Sequence, residues 1–182
     1  MKQRLDQLLH TRGLVVSRSQ AESWIRLGKV FVNGQQVTKA GTFVDDTAEL
    51  DLQTTEQYVS RAGLKLASVA QILHLEFKDK VMLDVGSSTG GFTDYALQHG
   101  IRKVIAVDVG TDQLHPSLHG NPKIELHEQT DIRSMMELTD VPDLVVIDVS
   151  FVSLRDILPH VARLCGPQTI VAAMVKPQFE AR

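Results

Sequence analysis

Apolar positions in the first part of the chain follow two helical stripes. Within residues 2–10 the leucines recur at helical spacing, and Gly13 ends that pattern. A second stripe begins after Ser17 and Ser19, either of which is suited to cap a helix, and it stops at Gly28. The pattern therefore predicts two short helices, whose apolar positions are Leu5, Leu8 and Leu9 in the first and Ala21, Trp24, Ile25 and Leu27 in the second.

The residues that follow alternate between apolar and polar in the manner of strands. Val30 and Val32 precede an Asn33-Gly34 pair, which is typical of a tight hairpin because both residues tolerate a positive φ. The alternation continues to Leu52 and predicts a small curled sheet. Because Trp24 shares the helical stripe, we expect its ring in the core of this small module rather than on its surface.

The pattern changes after a polar stretch at residues 53–59, which lacks periodicity. Ser60–Leu73 reads as a capped helix, and from Val81 onward short apolar runs alternate with helical patterns. Such alternation predicts an α/β domain with a parallel, doubly wound sheet and a ligand crevice at the carboxyl ends of its strands. The predicted strands are 81–85, 103–108, 124–127, 143–147 and 169–175, and the predicted helices lie near 91–99, 111–118 and 153–164. The expected domains are 1–53 and 61–182, with a linker at 54–60.

A glycine-rich turn directly follows the first of these strands, within Val81–Asp94. Gly86, Gly90 and Gly91 leave room for a sugar or phosphate to approach the backbone, and the next helix offers free N–H groups there. Asp108 closes the following strand, where an acid accepts hydrogen bonds from two ribose hydroxyls. The turn predicts a nucleoside-binding half-site, although a tight strand-to-helix turn without a ligand needs similar glycines.

The spacing of the turn distinguishes between cofactors. It runs D-x-G-x-x-x-G-G from Asp84, whereas dinucleotide-binding turns run G-x-G-x-x-G. An acid beside the turn would repel a pyrophosphate but attract the cationic amino group of S-adenosylmethionine (SAM). The pattern therefore favours a methyl donor over NAD.

Charged residues follow the predicted strand ends, where we expect them to line one crevice. Enzymes that methylate base nitrogens usually carry an N/D-P-P-Y/F motif after the fourth strand, whereas that strand here ends in Asp148-Val149-Ser150-Phe151. Methylation at a cytosine carbon needs a nearby cysteine, and Cys165 lies beyond the next helix. Both routes are disfavoured, which leaves a hydroxyl. The strand-end residues are Asp84, Asp108, Asp131, Asp148 and Lys176.

A hydroxyl nucleophile needs a base or a stabilised oxyanion. We expect Lys65, Asp148 and Lys176 to converge on it. Two close ammonium groups favour loss of a proton from one of them, and the carboxylate would orient the lysines. The alternative at this point is that Lys65 is a surface lysine and Asp148 caps a helix.

Charge is unevenly distributed along the chain. Residues 1–44 carry seven Lys or Arg and two acidic residues, whereas the whole chain of 182 residues has a formal net charge of −3. This indicates a polyanion-binding module joined to an acidic domain, or only a solvated basic face. Cys165 is the single cysteine, which excludes an internal disulfide and is simplest as a small buried residue. With neither a secretory signal nor a membrane-spanning run, we expect a cytoplasmic protein without a metal or a membrane partner.

The N-terminal residues closely resemble a known RNA-binding domain. The runs RLDQLL, SRSQAESWI and GKVFVNGQQV are similar to the S4 domain, and the resemblance covers nearly all of residues 2–52. In that domain, paired helices and the following turn present basic side chains to structured RNA, whose A-form helix exposes phosphates and 2′-hydroxyls. The resemblance implies RNA contacts at Arg4, Arg12, Arg18, Arg26 and Lys29.

The remaining motifs resemble one family of RNA-modifying enzymes. YVSRAGLKL, LDVGSSTGGFTD, AVDVG, DVSFVSL and VKPQFE, in this order after an S4 domain, are similar to the TlyA/hemolysin A family of FtsJ-like ribosomal RNA 2′-O-methyltransferases. The resemblance implies a Rossmann-like, SAM-dependent methyltransferase domain, ribosomal RNA or ribosomal subunits as partner, and a Lys-Asp-Lys-Glu tetrad whose first members fall on Lys65, Asp148 and Lys176. It implies SAM contacts at Asp84, Gly86, Ser88, Gly90, Asp108 and Asp131, with Asp131 near the adenine.

One departure from the family pattern leaves alternatives open. Such sheets normally have seven strands, whereas the chain ends at Arg182, just after the fifth. We therefore expect either a shortened version of a longer protein, incomplete at its C-terminus, or a short form without activity. Glu180 belongs to the KPQFE block and is not assigned as the fourth tetrad residue. The rival functions are a non-catalytic protein that binds RNA and SAM and, with less support, a membrane-acting haemolysin.

Overall fold

The computed structural model describes residues 1–15, 17–53 and 58–181. Its contacts divide the chain into two units, Met1–Leu64 and Lys65–Arg182, and each is described by itself. The predicted linker at 54–60 falls largely outside the described residues, so that boundary stays a prediction.

The first unit contains two short helices and two small antiparallel sheets. One sheet pairs the first and fourth strands, and the other has the order β3-β2-β5. Its core contains most of the residues that the helical stripes predicted, including Leu5, Leu9 and Ile25, which are fully buried. Leu27, at the end of the second stripe, is instead 47% exposed. The elements are β1 Lys2–Arg4, α1 Leu5–Thr11, α2 Arg18–Arg26, β2 Val30–Val32, β3 Gln35–Gln36, β4 Phe43–Asp45 and β5 Leu50–Leu52.

Most local predictions for this unit are confirmed. Ser17 caps α2 by accepting a hydrogen bond from the N–H of Gln20 at 3.1 Å. Asn33 and Gly34 adopt φ of 49° and 77°, the positive values that a tight hairpin requires. Trp24 is only 4% exposed, as expected for a core residue.

The start of the first helix was predicted too early. Residues 2–4 form a strand, β1, whose Gln3 pairs with Val44 of β4, and helix α1 begins only at Leu5. The local sequence at Lys2 and Arg4 is compatible with either a strand or a helix. Pairing with the distant strand β4 therefore determines that these residues form a strand.

The second unit is built on a five-stranded parallel sheet with the order β10-β9-β6-β7-β8. All five predicted strands are present, and their bounds differ from prediction by two residues at most. The doubly wound, Rossmann-like fold is therefore confirmed. The elements are α3 Arg61–Ala70, which begins in the first unit, then β6 Val81–Val85, α4 Gly91–Gln98, β7 Lys103–Val107, β8 Ile124–His127, β9 Leu144–Ile147, α5 Leu154–Leu164, β10 Ile170–Ala173 and α6 Pro177–Glu180.

Burial of the central strands on both faces explains their apolar runs. All five residues of β6 are buried, and so are all four of β9. One face packs against α5 through Ile157 and Val161. Asp84 is the one ionisable residue in β6, and it lies where that strand turns toward the crevice. The sheet thus places every strand's carboxyl end along one edge, as parallel strands must.

The predicted helix at 111–118 is wrong. Only Pro116–Leu118 form a short 3₁₀ turn, and Asp112 has a φ of 53°, which ends any regular helix there. The backbone N–H groups of Asp112 and Gln113 donate to the carboxylate of Glu128 instead. A side chain more than ten residues away therefore replaced the local hydrogen bonds that a helix would have made.

Candidate active site

The glycine-rich turn, which links β6 to α4, lies against the end of the neighbouring strand β9. Gly86 has a φ of 82°, and a Cβ atom on it would lie 2.9 Å from the carbonyl oxygen of Asp148. The position therefore requires glycine on grounds of both conformation and space. This close approach brings the turn after β6 against the end of β9, where Asp148 lies.

Gly90 serves the packing of the turn. It adopts a φ of 89° at the N-cap of α4. A Cβ atom there would come within 2.6 Å of the Leu118 side chain and 2.7 Å of that of Leu114. The role of Gly90 in SAM contact stays a prediction, and its surroundings give it a steric reason to be glycine.

Asp108 is held rigidly at the end of β7. Its Oδ2 accepts a hydrogen bond from the N–H of Ser88 at 2.8 Å, and its Oδ1 accepts one from the N–H of Gly110 at 2.7 Å. A carboxylate has about four acceptor positions, so both oxygens keep capacity for further donors. The carboxylate is thus fixed in place and still able to bind hydroxyl groups.

A cavity of about 520 Å³ opens where these strand ends meet. Its walls combine the polar strand-end residues with valine and isoleucine side chains, a mixture typical of small-molecule sites. The sequence-predicted residues in its lining are Gly86, Ser88, Asp108, Asp131 and Asp148. Asp84, Gly90, Lys65 and Lys176 lie outside that lining.

Asp84 lies beneath the turn, where it is fully buried. Its Oδ2 accepts a hydrogen bond from the Thr93 hydroxyl at 2.7 Å, and among the described residues Oδ1 has no hydrogen-bond partner. Burial raises the pKa of Asp84 to about 7, and the charges of Asp148 and Asp108 add to this effect. Asp84 is therefore about half protonated near pH 7, and its Oδ1 can accept a further hydrogen bond.

Asp131 forms another part of the cavity wall, at the start of a 3₁₀ turn that spans Ile132–Ser134. The Arg133 guanidinium donates to Asp131 Oδ2 at 2.6 Å. This ion pair lowers the pKa of Asp131 below its usual value. The acid is consequently negative at neutral pH at the side of the cavity where the resemblance implies adenine.

Lys65, Asp148 and Lys176 converge as the sequence predicts. The Nζ of Lys65 lies 3.4 Å from Asp148 Oδ2, and the Nζ of Lys176 lies 2.7 Å from Oδ1. Lys176 also donates to the Ser150 hydroxyl at 2.9 Å. The N-cap of α5 is Ser153, so Asp148 does not cap that helix. One carboxylate at the edge of the cavity thus holds two ammonium groups.

Sequence reasoning missed an exposed aromatic residue beside this cluster. Phe151 lines the cavity with 93% of its surface exposed, and its φ of 65° is rare for a bulky side chain. Its ring centroid lies 5.3 Å from that of Phe179. The DVSF block was noted for lacking a proline pair and for its resemblance to the family, without a role for Phe151, and a positive φ at an aromatic residue leaves no signal in sequence.

Glu180 binds at the start of α5. Its Oε2 accepts a hydrogen bond from the Ser153 hydroxyl at 2.6 Å, and its Oε1 accepts one from the N–H of Leu154 at 2.8 Å. These bonds satisfy donors that a helix leaves free in its first turn. The geometry gives Glu180 a structural reason to be an acid.

In the first unit, Asp6 joins two of the arginines predicted to bind RNA. Asp6 is fully buried, Arg4 donates to it at 2.9 Å and 3.0 Å, and Arg18 donates at 3.1 Å. The hydrogen bonds from the Arg4 guanidinium lower the pKa of Asp6 to about 2, although burial acts in the opposite direction. The carboxylate fixes both guanidinium groups on one side of the unit. Sequence reasoning read the R-L-D run as a motif without assigning Asp6 this part.

The other side chains predicted to contact RNA differ in exposure and in the bonds they make within the domain. Arg12 donates to the carbonyl oxygens of Ala48 at 2.7 Å and Asp46 at 2.5 Å, so it braces the domain itself. The Arg26 side chain is 74% exposed and lies 3.9 Å from the Glu22 carboxylate. Lys29 is exposed as well. Arg26 and Lys29 are therefore better placed than Arg12 to meet a polyanion.

Residues 1–15, 17–53 and 58–181 contain no group of three or more His, Cys, Asp or Glu side chains arranged to hold a metal ion. Across the same ranges, every helix is too short or too polar to cross a membrane.

The sheet order, the glycine-rich turn after the central strand and the acid that closes the next strand define a Rossmann-like methyltransferase domain. Two family models match the chain, the S4 domain over residues 3–50 and the FtsJ-like methyltransferase over residues 58–182. The chain therefore belongs to the TlyA/hemolysin A family of FtsJ-like methyltransferases that carry an S4 domain.

Individual relatives are similar over almost the whole chain. YqxC of Bacillus subtilis, provisionally named an rRNA methyltransferase, is 43% identical over 99% of this chain and 66% of its own length. TlyA of Mycobacterium tuberculosis, named a 16S/23S rRNA (cytidine-2′-O)-methyltransferase, is 38% identical over 97% of this chain and 68% of its own. A solved Streptococcus thermophilus structure, provisionally named a hemolysin, is 41% identical with a TM-score of 0.67, covering 100% of this chain and 68% of that one. The chain thus spans about two thirds of these relatives.

Proposed function

We propose that the protein transfers a methyl group from SAM to a ribose 2′-hydroxyl of ribosomal RNA. The observation that carries this proposal is the pairing of Lys65 and Lys176 with the single carboxylate of Asp148, at the edge of a cavity of nucleoside size. A ribose hydroxyl is a weak acid, so it reacts only where a proton acceptor and a stabilising cation are close together. A pair of lysines on one carboxylate supplies both.

The cavity wall fits SAM. Asp108 keeps acceptor capacity for ribose hydroxyls, and Val107, Val109 and Ile132 offer apolar surface for an adenine ring. Below the turn, Asp84 Oδ1 and the Ser87 hydroxyl are buried without a hydrogen-bond partner among the described residues, which suits a nearby donor such as an amino group. When bound, SAM supplies a methyl group activated by its sulfonium.

The lysines and the carboxylate have separate roles in this proposal. Lys176, in its neutral form, accepts the 2′-hydroxyl proton at Nζ, while the Lys65 ammonium stabilises the oxygen that loses it. Asp148 orients both side chains and offsets their mutual repulsion. Lys176 is given the role of proton acceptor because its Nζ is held in one position, 2.7 Å from Asp148 Oδ1 and 2.9 Å from the Ser150 hydroxyl, whereas the Lys65 side chain is 48% exposed.

Phe151 supports a nucleic-acid substrate. An exposed aromatic ring beside a catalytic cluster offers a stacking face for a base that has left its helix. The strain of its positive φ is consistent with a functional position, since such conformations are usually replaced where nothing requires them.

The partner in this proposal is ribosomal RNA, free or within a ribosomal subunit, and the activity is therefore cytoplasmic. The S4 domain, the basic residues 1–44 and the names of the YqxC and TlyA relatives support it. Within the S4 domain, Arg4, Arg18, Arg26 and Lys29 present their charges to the RNA backbone. A non-catalytic protein that binds RNA and SAM is the alternative that the following experiment separates.

The test uses Lys176 variants of the complete gene product, with ribosomal subunits and SAM as substrates. We expect Lys176→Ala to keep nearly unchanged SAM affinity by calorimetry while the methylation rate falls by roughly two or more orders of magnitude. Lys176→Arg is expected to be equally impaired, because a guanidinium does not give up its proton at working pH. Alkali resistance of one linkage in the product RNA reports 2′-O-methylation.

Lys78→Ala is the matched control, since Lys78 is an exposed lysine of the same unit outside the cluster. It should methylate like the parent. Parent protein that binds SAM and RNA but leaves every linkage alkali-sensitive would establish the non-catalytic alternative. A fully active Lys176→Arg variant would overturn the proton-accepting role of Lys176.

A further inference from the structure

The loop after β7, residues 109–118, forms one wall of the cavity without regular secondary structure of its own for most of its length. It contributes Val109 and Gln113 to the lining. Its single regular feature is the 3₁₀ turn Pro116–Leu118, which follows those two residues. The position of this wall therefore depends on bonds made to the loop by other parts of the domain.

Glu128 makes such bonds with both oxygens of its carboxylate. Oε2 accepts the N–H of Asp112 at 2.9 Å, and Oε1 accepts the N–H of Gln113 at 3.1 Å. These backbone N–H groups, with that of Leu114, lower the pKa of Glu128 below its usual value. In a helix these N–H groups would donate to backbone carbonyls. Here they donate to an ionised carboxylate instead.

The segment 128–130 is hydrogen-bonded to the first half of the loop and to Asp108, which precedes it. The N–H of Gln129 donates to the carbonyl of Gly110, and that of Thr130 donates to the carbonyl of Asp108, both at 2.9 Å. The Gln129 side chain donates to the Thr111 hydroxyl at 2.8 Å. The next residue is Asp131, which lines the same cavity, so the two segments form one continuous wall.

On its other side the loop reaches the glycine-rich turn. The N–H of His115 donates to the carbonyl of Thr89 at 3.1 Å. Leu114 and Leu118 are buried and fill the space beside Gly90. A shift of the loop at Asp112 and Gln113 would therefore be transmitted to the turn that faces the ligand.

We propose that Glu128 is a positioning residue of the cofactor pocket, which fixes the wall containing Val109 and Gln113 through the backbone of the loop. The Glu128 side chain lies outside the cavity lining, so it acts through the loop rather than by touching the ligand. This inference rests on the proposed use of SAM, and it adds a residue that none of the motifs singles out.

The test is Glu128→Gln, which keeps the shape of the side chain. The amide NH₂ of glutamine is a donor, so it would face a backbone N–H that also donates, and one bond to the loop is lost. We expect the affinity for SAM, and for its product S-adenosylhomocysteine, to fall about tenfold by calorimetry. In turnover, KM for SAM should rise by the same factor while kcat at saturating SAM stays at the parent value. Hydrogen exchange should accelerate over residues 109–118.

Glu137→Gln is the matched control, because it removes the same charge from an exposed glutamate of the same unit. It should leave both affinity and exchange unchanged. Unchanged SAM affinity in Glu128→Gln would overturn the inference, whether or not the loop exchanges faster, and so would an equal loss in the Glu137→Gln control. If the parent protein itself fails to bind SAM, the proposed function falls instead, so the two failures are distinguishable.

Discussion

Single residues at the site show where sequence and structure agree and where they part. Lys65, Asp148 and Lys176 were predictable because the carboxyl ends of parallel strands share one edge, and two of the three residues close strands. The burial of Asp84 was not predictable. A residue near the end of β6 can either face the ligand or lie buried beneath the turn, and the sequence does not distinguish the two. Asp6 was missed because the motif was read for its basic residues and the second partner of Asp6, Arg18, lies twelve residues away. Glu128 was missed because its partners are backbone N–H groups, which no local spacing reveals.

The unusual pKa of Asp84 should make folding stability depend on pH. Its folded value of about 7 lies above the ordinary 3.8, so the folded state holds a proton that the unfolded chain releases. The stabilisation is complete below about pH 4 and is lost as the pH rises toward 7. In that range the free energy of unfolding should fall by up to about 1.4 kcal/mol per pH unit because of this group.

Urea unfolding of the parent and of Asp84→Asn at pH 4 and pH 7 tests this pH dependence. The difference between the two pH values should be smaller in the variant than in the parent. Asp6, whose pKa is about 2, contributes to both proteins equally, so the comparison isolates Asp84. An identical pH dependence in the two proteins would contradict the raised value.

At the scale of elements, strands were predicted better than loops. A parallel strand buried on both faces must be a short apolar run, and β6, β7 and β9 have that pattern. The segment 109–118 has apolar positions at helical spacing, yet the burial of Leu114 and Leu118 against the glycine-rich turn serves a loop equally well. The spacing of apolar residues indicates which side chains are buried, but it does not determine whether the backbone there is a helix or a loop.

The start of α5 provides a test at this scale. Ser153 caps the helix by accepting the N–H of Arg155 at 3.1 Å, and Glu180 accepts the N–H of Leu154. We expect Ser153→Ala to lower the free energy of unfolding by about 1 kcal/mol. Glu180→Ala should have a similar effect, and the double variant should lose less than the two single losses together, because the Ser153 hydroxyl also donates to Glu180.

Urea unfolding of the four proteins measures this coupling. Strictly additive losses would show that the Ser153 and Glu180 contacts act independently. Ser153→Thr, which keeps a capping hydroxyl, should retain most of the parent stability and serves as the control.

At the scale of the whole molecule, the distribution of charge separates a basic segment, residues 1–44, from an acidic remainder. The S4 and FtsJ-like matches fall mainly on these two parts. The signal did not separate cations that are free from cations bound within the domain. Arg12 holds two carbonyl oxygens, whereas Arg26 is largely exposed, and both count equally in a net charge.

Salt dependence of RNA binding tests that distinction. Arg26→Ala and Lys29→Ala should each weaken binding to ribosomal RNA and reduce the slope of log K against log salt by about 1, since each lost phosphate contact releases one fewer counterion. Thermal stability should be unchanged. Arg12→Ala should instead lower Tm, because it leaves the carbonyls of Asp46 and Ala48 without that donor.

Lys39→Ala is the control for these variants, as Lys39 is an exposed lysine of the same unit with no predicted RNA contact. Its slope should match the parent. If all three exposed-cation variants reduced the slope equally, the binding would be a diffuse effect of charge rather than a defined surface.

The strand order bears on how the protein is made. β6, the first strand of the sheet to leave the ribosome, occupies its centre, and the chain then builds outward through β7 and β8 on one side before it adds β9 and β10 on the other. The acids that end β6 and β7 are therefore in place early in synthesis, while Asp148 and Lys176 arrive last. A nascent chain would be able to assemble the nucleoside-binding half before it has any means of reaction. Of the strand-end residues in the proposed reaction, those assigned to the cofactor are thus translated before those assigned to the methyl acceptor.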